Sequence, residues 1–218
     1  MTYRIEPVSD SDLPHLIPPL FQAMGPSYEF MNAMWPDNQT PSGQAKIAAR
    51  MLAIKRAAPH THWTQAVDTT TNAPVGFAMW TAIDADKPAE KDVDAPADTW
   101  KDEAEKKYAV LLHRSLLECR RRAIRENEVP IMMLNMMAVW VQHQRKGIGK
   151  MLLDWGLKMA DEKNALCILE GTQIGSKLYR KGGFTTEQEI VIDAGPEYAH
   201  KPKDHVFFMM RPRKRPLP

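Results

Sequence analysis

One short segment of this 218-residue chain combines the residue types that bind phosphate groups. It runs from Gln144 to Lys150 and reads Gln-Arg-Lys-Gly-Ile-Gly-Lys, at the predicted start of a helix. A glycine-rich turn at this position leaves backbone N–H groups without partners, and the helix dipole adds positive potential. Gly147 and Gly149 let a ligand approach the backbone closely, and one arginine and two lysines add cations. These features favour a site for a diphosphate.

The segment alone does not separate a ligand site from an ordinary helix start with a flexible joint. It is not a Walker A loop, because its second glycine is not followed by Lys and then Ser or Thr at the required interval. It is not the dinucleotide-binding fingerprint, which needs three glycines.

An apolar strand is predicted before the segment and an amphipathic helix after it. Residues Ile131 to Val141 are almost wholly apolar, which predicts a strand covered on both faces. Gly147 to Asn164 carries apolar residues at steps of three and four, which predicts a helix with one buried face. A short apolar strand, Ala165 to Glu170, follows. The glycine turn is thus expected at the joint between a central strand and a long helix.

Helices and strands alternate along the rest of the chain. The predicted order is β-α-α-β-β-α-β-α-β-α-β-β, which indicates an α/β or α+β domain around a mixed sheet. A polar segment from Asp84 to Lys107, with nine acidic residues and five lysines, is predicted to be a surface insertion. A helix is predicted from Trp100 to Asn127. The arginines in its last turns, Arg120 to Arg122 and Arg125, are predicted to form a solvated face that suits the helix dipole.

The composition argues against several classes of protein. The net charge is +2, from 29 basic and 27 acidic residues, which gives no strong attraction to nucleic acid or anionic membranes. No apolar stretch approaches the roughly 20 residues that span a bilayer, and no signal peptide is expected from the first residues. Cys119 and Cys167 are predicted to be free thiols in a reducing compartment. No zinc-ligand spacing is present, so no metal is expected.

Two motifs together resemble the GNAT superfamily of N-acetyltransferases. Gln144 to Gly149 is similar to its Q/R-x-x-G-x-G/A signature, and Leu178 to Phe184 is similar to its L-Y-x-x-x-G-F element. The strands and helices around them match the family's order over residues 131–192. The resemblance implies a single domain over residues 1–218, with a mixed, mostly antiparallel sheet flanked by helices on both faces. The Met- and Trp-rich N-terminal part is similar to fungal members of the family.

The resemblance also implies a site for acetyl-CoA. In the family, the backbone of the strand before the signature pairs with the pantetheine arm, and the signature holds the pyrophosphate. Thr172 stands where many members have an asparagine that seats the pantetheine, and its hydroxyl still donates one hydrogen bond. The implied acetyl-CoA contacts are Met137, Ala138, Val139, Val141, Gln144, Arg145, Lys146, Gly147, Ile148, Gly149, Lys150 and Thr172.

The implied catalytic residues are Tyr179 and Glu170. The tyrosine of L-Y-x-x-x-G-F lies near the sulfur in the family, and a phenol can donate a proton to a thiolate; the alternative role of Tyr179 is a packed aromatic. Several members carry a glutamate base at the position of Met133. An alkylammonium acceptor must still lose a proton. Glu170 is the first candidate to accept it, although it is also explained as a solvated strand-end carboxylate, and the alternatives are Asp84 or a water molecule.

The acceptor pocket in this fold is built from the first two helices, the loop between them and the hairpin. Aromatic and methionine side chains there suggest a bulky or apolar acceptor, and the scarcity of acidic residues argues against polyamines and aminoglycosides. Packing in the core is the alternative explanation for several of these side chains. The candidate lining residues are Tyr28, Phe30, Met31, Met34, Trp35, Trp80 and Trp140.

The function implied by the resemblance is acetyl-CoA-dependent transfer of an acetyl group to a primary amine of a small molecule, by direct attack on the thioester. The alternatives are a protein or peptide acetyltransferase acting on lysines or N-termini, and an acyl-CoA-binding module without turnover. A nucleic-acid binder is suggested only by the basic tail, residues 211–218, which is predicted to be solvated. No nucleic-acid or membrane partner is expected. We expect a cytoplasmic monomer or homodimer, with a nuclear location as the alternative that the tail offers.

Overall fold

The computed structural model describes residues 2–93 and 95–215. Residue 94 of the predicted insertion and residues 216–218 of the basic tail lie outside the described residues. The elements along the described chain are β1 (Tyr3–Pro7), α1 (Leu13–Met24), α2 (Glu29–Met34), α3 (Pro41–Ala57), β2 (Thr61–Asp68), β3 (Pro74–Ile83), α4 (Glu103–Glu126), β4 (Ile131–Val139), α5 (Ile148–Glu162), β5 (Leu166–Thr172), α6 (Gln173–Lys181), β6 (Thr185–Ile192) and β7 (Asp204–Arg211).

The strands form one seven-stranded sheet in the order β1-β2-β3-β4-β5-β7-β6. Strands β4 and β5 run parallel, and the other neighbouring pairs within the described sheet are antiparallel. The predicted class, a mixed and mostly antiparallel sheet with flanking helices, is confirmed. The predicted order of elements lacks α2, a six-residue helix.

Helices cover both faces of this sheet. On one face, α5 packs so closely on β3 that a Cβ atom added to Gly76 would lie 3.1 Å from Leu152. Successive residues of a strand point to opposite faces of the sheet. On the other face, Ile83 of β3 and Met133 of β4 pack with the buried side of α4. The sheet is therefore buried on both faces at its centre, which explains the long apolar run of β4.

The acidic insertion lies against the arginine-rich side of α4. Arg114 Nε donates to Asp92 Oδ1 at 2.9 Å, and Arg125 forms an ion pair with Glu90. Near its end, Trp100 is buried, and its indole N–H donates to the Ala33 carbonyl at 2.8 Å. The insertion therefore contacts the domain at two places, the surface of α4 and the Ala33 carbonyl of α2.

The basic tail begins in contact with the domain, contrary to the prediction of a solvated tail. Arg211 and Lys214 each lie 2.8 Å from a carboxylate oxygen of Asp161 on α5. The backbone N–H of Arg215 donates to Asn164 at 2.9 Å. Asp161 therefore neutralises part of the charge that suggested a nucleic-acid or nuclear role.

Both cysteines are free and buried, as predicted. Across the part of the chain that the structure describes, no helix is long and apolar enough to cross a membrane. Nor do the side chains of residues 2–93 and 95–215 include a group of three or more His, Cys, Asp or Glu that could hold a metal ion.

Candidate active site

Strands β4 and β5 pair at one end of the sheet and separate at the other. Their parallel pairing runs from Ile131 and Leu166 to Leu134 and Leu169 and ends there. Strand β4 continues to Val139 and remains paired with β3 on its other side. The parts of β4 and β5 that no longer pair with each other form the two sides of a gap, which we call the fork.

The backbone of β4 presents hydrogen-bonding groups to the fork. The N–H of Trp140 donates to the Val75 carbonyl at 3.0 Å and so points toward β3. Because successive residues of a strand point their N–H and C=O groups to opposite sides, those of Ala138 also point toward β3. The groups of Met137 and Val139 point into the fork. Of the three predicted pantetheine contacts on β4, Met137 and Val139 therefore present their backbone to it, and Ala138 does not.

The start of α5 is built as the sequence predicts for an anion site. Gly147 adopts the left-handed conformation, with φ of +85°, and no side chain caps the helix. The first intrahelical bond of this turn runs from the Met151 N–H to the Gly147 carbonyl at 3.1 Å. The N–H groups of Ile148, Gly149 and Lys150 precede that bond and are free to meet a ligand. A Cβ atom on Gly147 would have no heavy atom within 4 Å, so the space beside the turn is open.

Most polar side chains of this turn are engaged by nearby residues. Gln144 Nε2 donates to the Val139 carbonyl at 3.1 Å, and Lys146 Nζ donates to the Gln142 carbonyl at 2.9 Å. Lys150 forms an ion pair with Asp154 one turn along the helix. Arg145 and Val141 are exposed nearby, whereas Ile148 is buried and anchors the helix. The exposed cations strengthen the positive potential that the backbone N–H groups and the helix dipole create.

Tyr179 of α6 is fixed at the β5 side of the fork. Its side chain packs on two glycines, since a Cβ atom on Gly171 would lie 2.9 Å and one on Gly175 would lie 3.1 Å from the tyrosine ring. Phe184 meets the ring edge-on with centroids 6.1 Å apart. Burial raises the pKa of the Tyr179 phenol to about 12. The phenol therefore keeps its proton at neutral pH and is available there as a hydrogen-bond donor.

Thr172 connects β5 to α6. Its hydroxyl oxygen accepts a hydrogen bond from the Gly175 N–H at 3.2 Å and so caps the helix. An N-cap oxygen satisfies one of the free N–H groups of the first turn. Thr172 is exposed, and its hydroxyl proton can still donate the hydrogen bond to pantetheine that the resemblance implies.

Glu170 is engaged by a residue that the sequence analysis placed on a solvated surface. Arg120 of α4 binds its carboxylate through two nitrogens, and the Nε–Oε1 distance is 3.1 Å. The Glu170 side chain is 5% exposed, which excludes the description as a solvated strand-end carboxylate. The alternative base, Asp84, forms an ion pair with Lys163 at 2.8 Å at the end of β3 beside Ile131, remote from the fork.

Tyr28 and Phe30 form an aromatic pair at the start of α2. Tyr28 is at the N-cap position, Phe30 is the second residue of the helix, and their rings are 6.2 Å apart. Burial raises the pKa of the Tyr28 phenol above its usual value, and the nearby Asp204, Glu170 and Tyr179 raise it further. Tyr28 is therefore close to both predicted catalytic residues.

Asp204 of β7 holds this segment in place. Its carboxylate accepts a hydrogen bond from the Phe30 N–H at 2.7 Å. Burial raises the pKa of Asp204, while bonds from the N–H groups of Phe30 and Glu29 oppose that shift. Asp204 was not among the predicted site residues, because nothing in its local sequence links it to a helix 174 residues earlier in the chain.

The other predicted acceptor residues belong to the core. Trp35 meets Phe21 edge-on at 6.5 Å, and the Arg50 guanidinium lies over its ring at 4.2 Å. Met31 and Met34 are buried in the same cluster, and Trp140 donates its indole N–H to the Pro74 carbonyl at 2.7 Å. Trp80 is fully buried beneath α5. Of the predicted acceptor residues, Tyr28 is near enough to Glu170 and Tyr179 for their charges to raise its pKa, whereas Phe30 packs against the two core clusters.

Gly156 of α5 should be intolerant of a side chain because Trp80 fills the space beside it. A Cβ atom at residue 156 would lie 2.1 Å from Cε2 of Trp80. We expect Gly156→Ala to lower the free energy of unfolding by about 1–3 kcal/mol through overpacking, although alanine favours a helix. Thermal and urea unfolding measure the change. The double variant Gly156→Ala with Trp80→Phe should recover stability relative to the single variant; equal or greater loss in the double variant would contradict this contact.

Comparisons with known proteins bear on the fold. No protein-family model and no curated protein sequence matches the chain. Solved structures that match over most of both chains include a protein from Corynebacterium glutamicum described as histone acetyltransferase HPA2 and related acetyltransferase, with 17% identity, coverage of 100% of each chain and a TM-score of 0.60. Arylalkylamine N-acetyltransferase 2 from Aedes aegypti is 15% identical, with coverage of 97% of this chain and 99% of that one and a TM-score of 0.61.

A third match contains the predicted cosubstrate. It is a GNAT-superfamily phosphinothricin acetyltransferase from Sinorhizobium meliloti in complex with acetyl-CoA, 16% identical, with coverage of 98% of this chain and 89% of that one and a TM-score of 0.53. At these identities the likeness establishes the fold alone. The chain has the fold of the GNAT superfamily, and the fold that the sequence resemblance implies is thereby confirmed.

Proposed function

We propose that the chain is an acetyl-CoA-dependent N-acetyltransferase acting on a primary amine of a small molecule. The observation that carries the proposal is the convergence of the fork, the uncapped start of α5 and helix α6. A Cβ atom on Gly149 would lie 3.2 Å from Leu178 of α6 and 3.6 Å from Val139 of β4. The free N–H groups of α5, the unpaired backbone of β4 and the helix that carries Tyr179 therefore meet at one place.

The residues at this place fit an acyl-CoA. Gly147 leaves open space beside free N–H groups, which suits a pyrophosphate. The β4 backbone at Met137 and Val139 offers donors and acceptors to an amide-containing arm such as pantetheine. Bound acetyl-CoA supplies the acetyl group already activated as a thioester, so this chain has only to orient it and to manage two protons.

In the proposed reaction the acceptor nitrogen attacks the thioester carbonyl carbon, a C–N bond forms and the C–S bond breaks. An alkylammonium with a pKa of about 10.4 must first lose a proton, which passes to water because Arg120 already binds the Glu170 carboxylate. As the C–N bond forms, the nitrogen releases its second proton to water. Tyr179 donates a hydrogen bond to the departing thiolate, which then takes a proton from water. Tyr28 and Phe30 support an acceptor with an apolar or aromatic body, and the half-buried Asp204 favours a cationic amine.

Two other functions have specific observations in their favour. Met133 at the usual base position, together with an engaged Glu170, supports an acyl-CoA-binding module without turnover. The name of the Corynebacterium match supports a protein acceptor, whereas that of the Aedes match supports an arylalkylamine. Neither alternative needs a different cosubstrate.

Release of free CoA thiol from acetyl-CoA, measured across a panel of amines, tests the proposal. The panel contains arylalkylamines, aliphatic amines, polyamines and lysine peptides. We expect turnover with small monoamines, the fastest with an aromatic body. Faster turnover with peptides would favour the protein acetyltransferase. Thermal stabilisation by CoA without thiol release on any amine would favour the binding module, and no stabilisation by CoA would contradict all three.

A further inference from the structure

The first unpaired residues of β4 and β5 share a partner on α4. Pairing of the two strands ends at Leu134 and Leu169, and the next residues are Asn135 and Glu170. Arg120 Nη1 donates to Asn135 Oδ1 at 2.7 Å, while Nε and Nη2 donate to the two carboxylate oxygens of Glu170. One guanidinium therefore bridges both strands at the point where they separate.

These groups are held away from water. The side chain of Arg120 is 13% exposed and that of Glu170 is 5% exposed. A buried ion pair persists only where its geometry is good and the remaining donors and acceptors are also bonded. The planar guanidinium meets the carboxylate and the amide at the same time, which the point charge of a lysine cannot do. The arrangement is therefore specific to arginine.

The bridge continues into the neighbouring strands through a β-bulge. Trp80 pairs with Leu134 and Met79 pairs with Met136, so Asn135 is an extra residue in β4. Its Nδ2 donates to Thr81 Oγ1 at 2.7 Å, and the Thr81 and Thr61 hydroxyls lie 3.1 Å apart. A bulge re-aims the strand that follows it. Here it comes directly before Met137 and Val139, which face the fork.

We propose that Arg120 is a positioning residue that fixes the separation of β4 and β5, and with it the aim of the Met137 and Val139 backbone at acetyl-CoA. The inference rests on the proposed function. Both Glu170 oxygens are bound by Arg120, so Glu170 anchors the fork and is not the proton acceptor.

The variant Arg120→Lys tests this role because it keeps the positive charge and removes the planar guanidinium group. The KM for acetyl-CoA should rise by about tenfold or more, with a smaller fall in kcat. Amide hydrogen exchange over residues 135–139 should become faster. Arg122→Lys is the matched control. Arg122 is exposed on the same helix as Arg120 and donates to Gln188 of β6 at 3.0 Å, so this variant should leave all three measurements unchanged.

A double variant separates positioning from simple stabilisation. Replacing Arg120 and Glu170 together by methionine removes both buried charges, a change that commonly preserves stability. We expect the Tm of the unaltered protein together with a raised KM for acetyl-CoA. A normal KM in this folded double variant would overturn the positioning role.

Glu170→Gln tests whether Glu170 is an anchor or a base. Loss of an essential base lowers kcat and removes the acidic limb of the pH–rate profile. The anchor role predicts that the acidic limb is retained and that the change appears mainly in KM. A large loss of kcat at unchanged KM would overturn the assignment of Glu170 as an anchor.

Calorimetric titration of the unaltered protein with CoA separates failure of this inference from failure of the proposed function. No binding of CoA would overturn both. Binding of CoA, together with unchanged KM and unchanged hydrogen exchange in Arg120→Lys, would overturn the role of Arg120 alone.

Discussion

A Gly147→Val variant is expected to bind CoA at least about a hundredfold more weakly than the unaltered protein. Two backbone N–H bonds to a charged group contribute about 1.5–3 kcal/mol each, and a valine side chain would obstruct them. The backbone of Gly147 has φ of +85°, and the space where its side chain would begin holds no heavy atom within 4 Å. Valine would therefore project beside the free N–H groups of α5. Isothermal titration calorimetry with CoA measures the loss.

Gly195→Val is the matched control for backbone strain. Gly195 also has a positive φ, +98°, and open space around its missing side chain, but it lies in the loop between β6 and β7. Gly147 is in the left-handed region, and Gly195, with ψ of 179°, is in a region that glycine alone commonly adopts. A valine at either residue costs about 1–3 kcal/mol, so both variants should lose stability in thermal unfolding. Only Gly147→Val should lose CoA affinity. Equal CoA affinity in the two variants would show that the start of α5 is not the pyrophosphate site.

The glycine turn at the start of α5 and the strand before it were predictable because their sequence signals lie in adjacent residues. The helix predicted from Gly147 to Asn164 is α5, Ile148–Glu162, and the strand predicted from Ile131 to Val141 contains β4, Ile131–Val139. Helical periodicity, an apolar run and a glycine turn are all properties of adjacent residues. The element order around them, and hence the fold class, followed from the same local signals.

Helix α2 was missed because the group that stabilises its start is distant in sequence. Tyr28, at its N-cap position, makes no side-chain capping bond. Asp204 supplies the acceptor instead, at the Phe30 N–H. A six-residue helix with no local cap has no signal within its own sequence, since short helices depend on tertiary contacts.

The surroundings of Arg120 and Glu170, both described as solvated, were mispredicted for a related reason. Periodicity indicates that a strand or helix residue is on one face, but not what covers that face. Arg122 and Arg125 of the same helix are exposed, and only the packing of α4 over the fork turns Arg120 inward. Trp80 shows the converse, because a tryptophan on the predicted hairpin faces α5 and not the acceptor side. Candidate residues that lie on strands therefore need the sheet's helix arrangement before they can be assigned to a site.

A Tyr179→Phe variant is expected to lower kcat by about 10- to 100-fold, with the KM for acetyl-CoA nearly unchanged, because a hydrogen bond to a charged group contributes about 1.5–3 kcal/mol. The ring would keep its packing on Gly171 and Phe184, so the fold should be preserved. The leaving thiolate exists only as the C–S bond breaks. A bond made at that stage lowers kcat when it is lost and leaves ground-state binding intact.

The raised pKa of Tyr179 limits what its phenol can do. With a pKa of about 12, the phenol is a weaker acid than a thiol, whose pKa is about 8.5. Complete transfer of its proton to the thiolate would be unfavourable by about 5 kcal/mol. Tyr179 therefore stabilises the thiolate as a hydrogen-bond donor, and the thiolate takes its proton from water. Ionisation of Tyr179 should not contribute a basic limb to the pH–rate profile near neutral pH.

Single-turnover measurements with a small amine and Tyr3→Phe as the control test this role, since they exclude product release from the observed rate. Tyr3 lies on the edge strand β1, and β2 and β3 separate it from the fork. Tyr3→Phe should keep the unaltered rate. An unchanged single-turnover rate in Tyr179→Phe would remove Tyr179 from the chemical step. A basic limb near neutral pH that disappears in Tyr179→Phe would instead show that its phenol ionises during catalysis, contrary to the desolvated environment that the structure gives it.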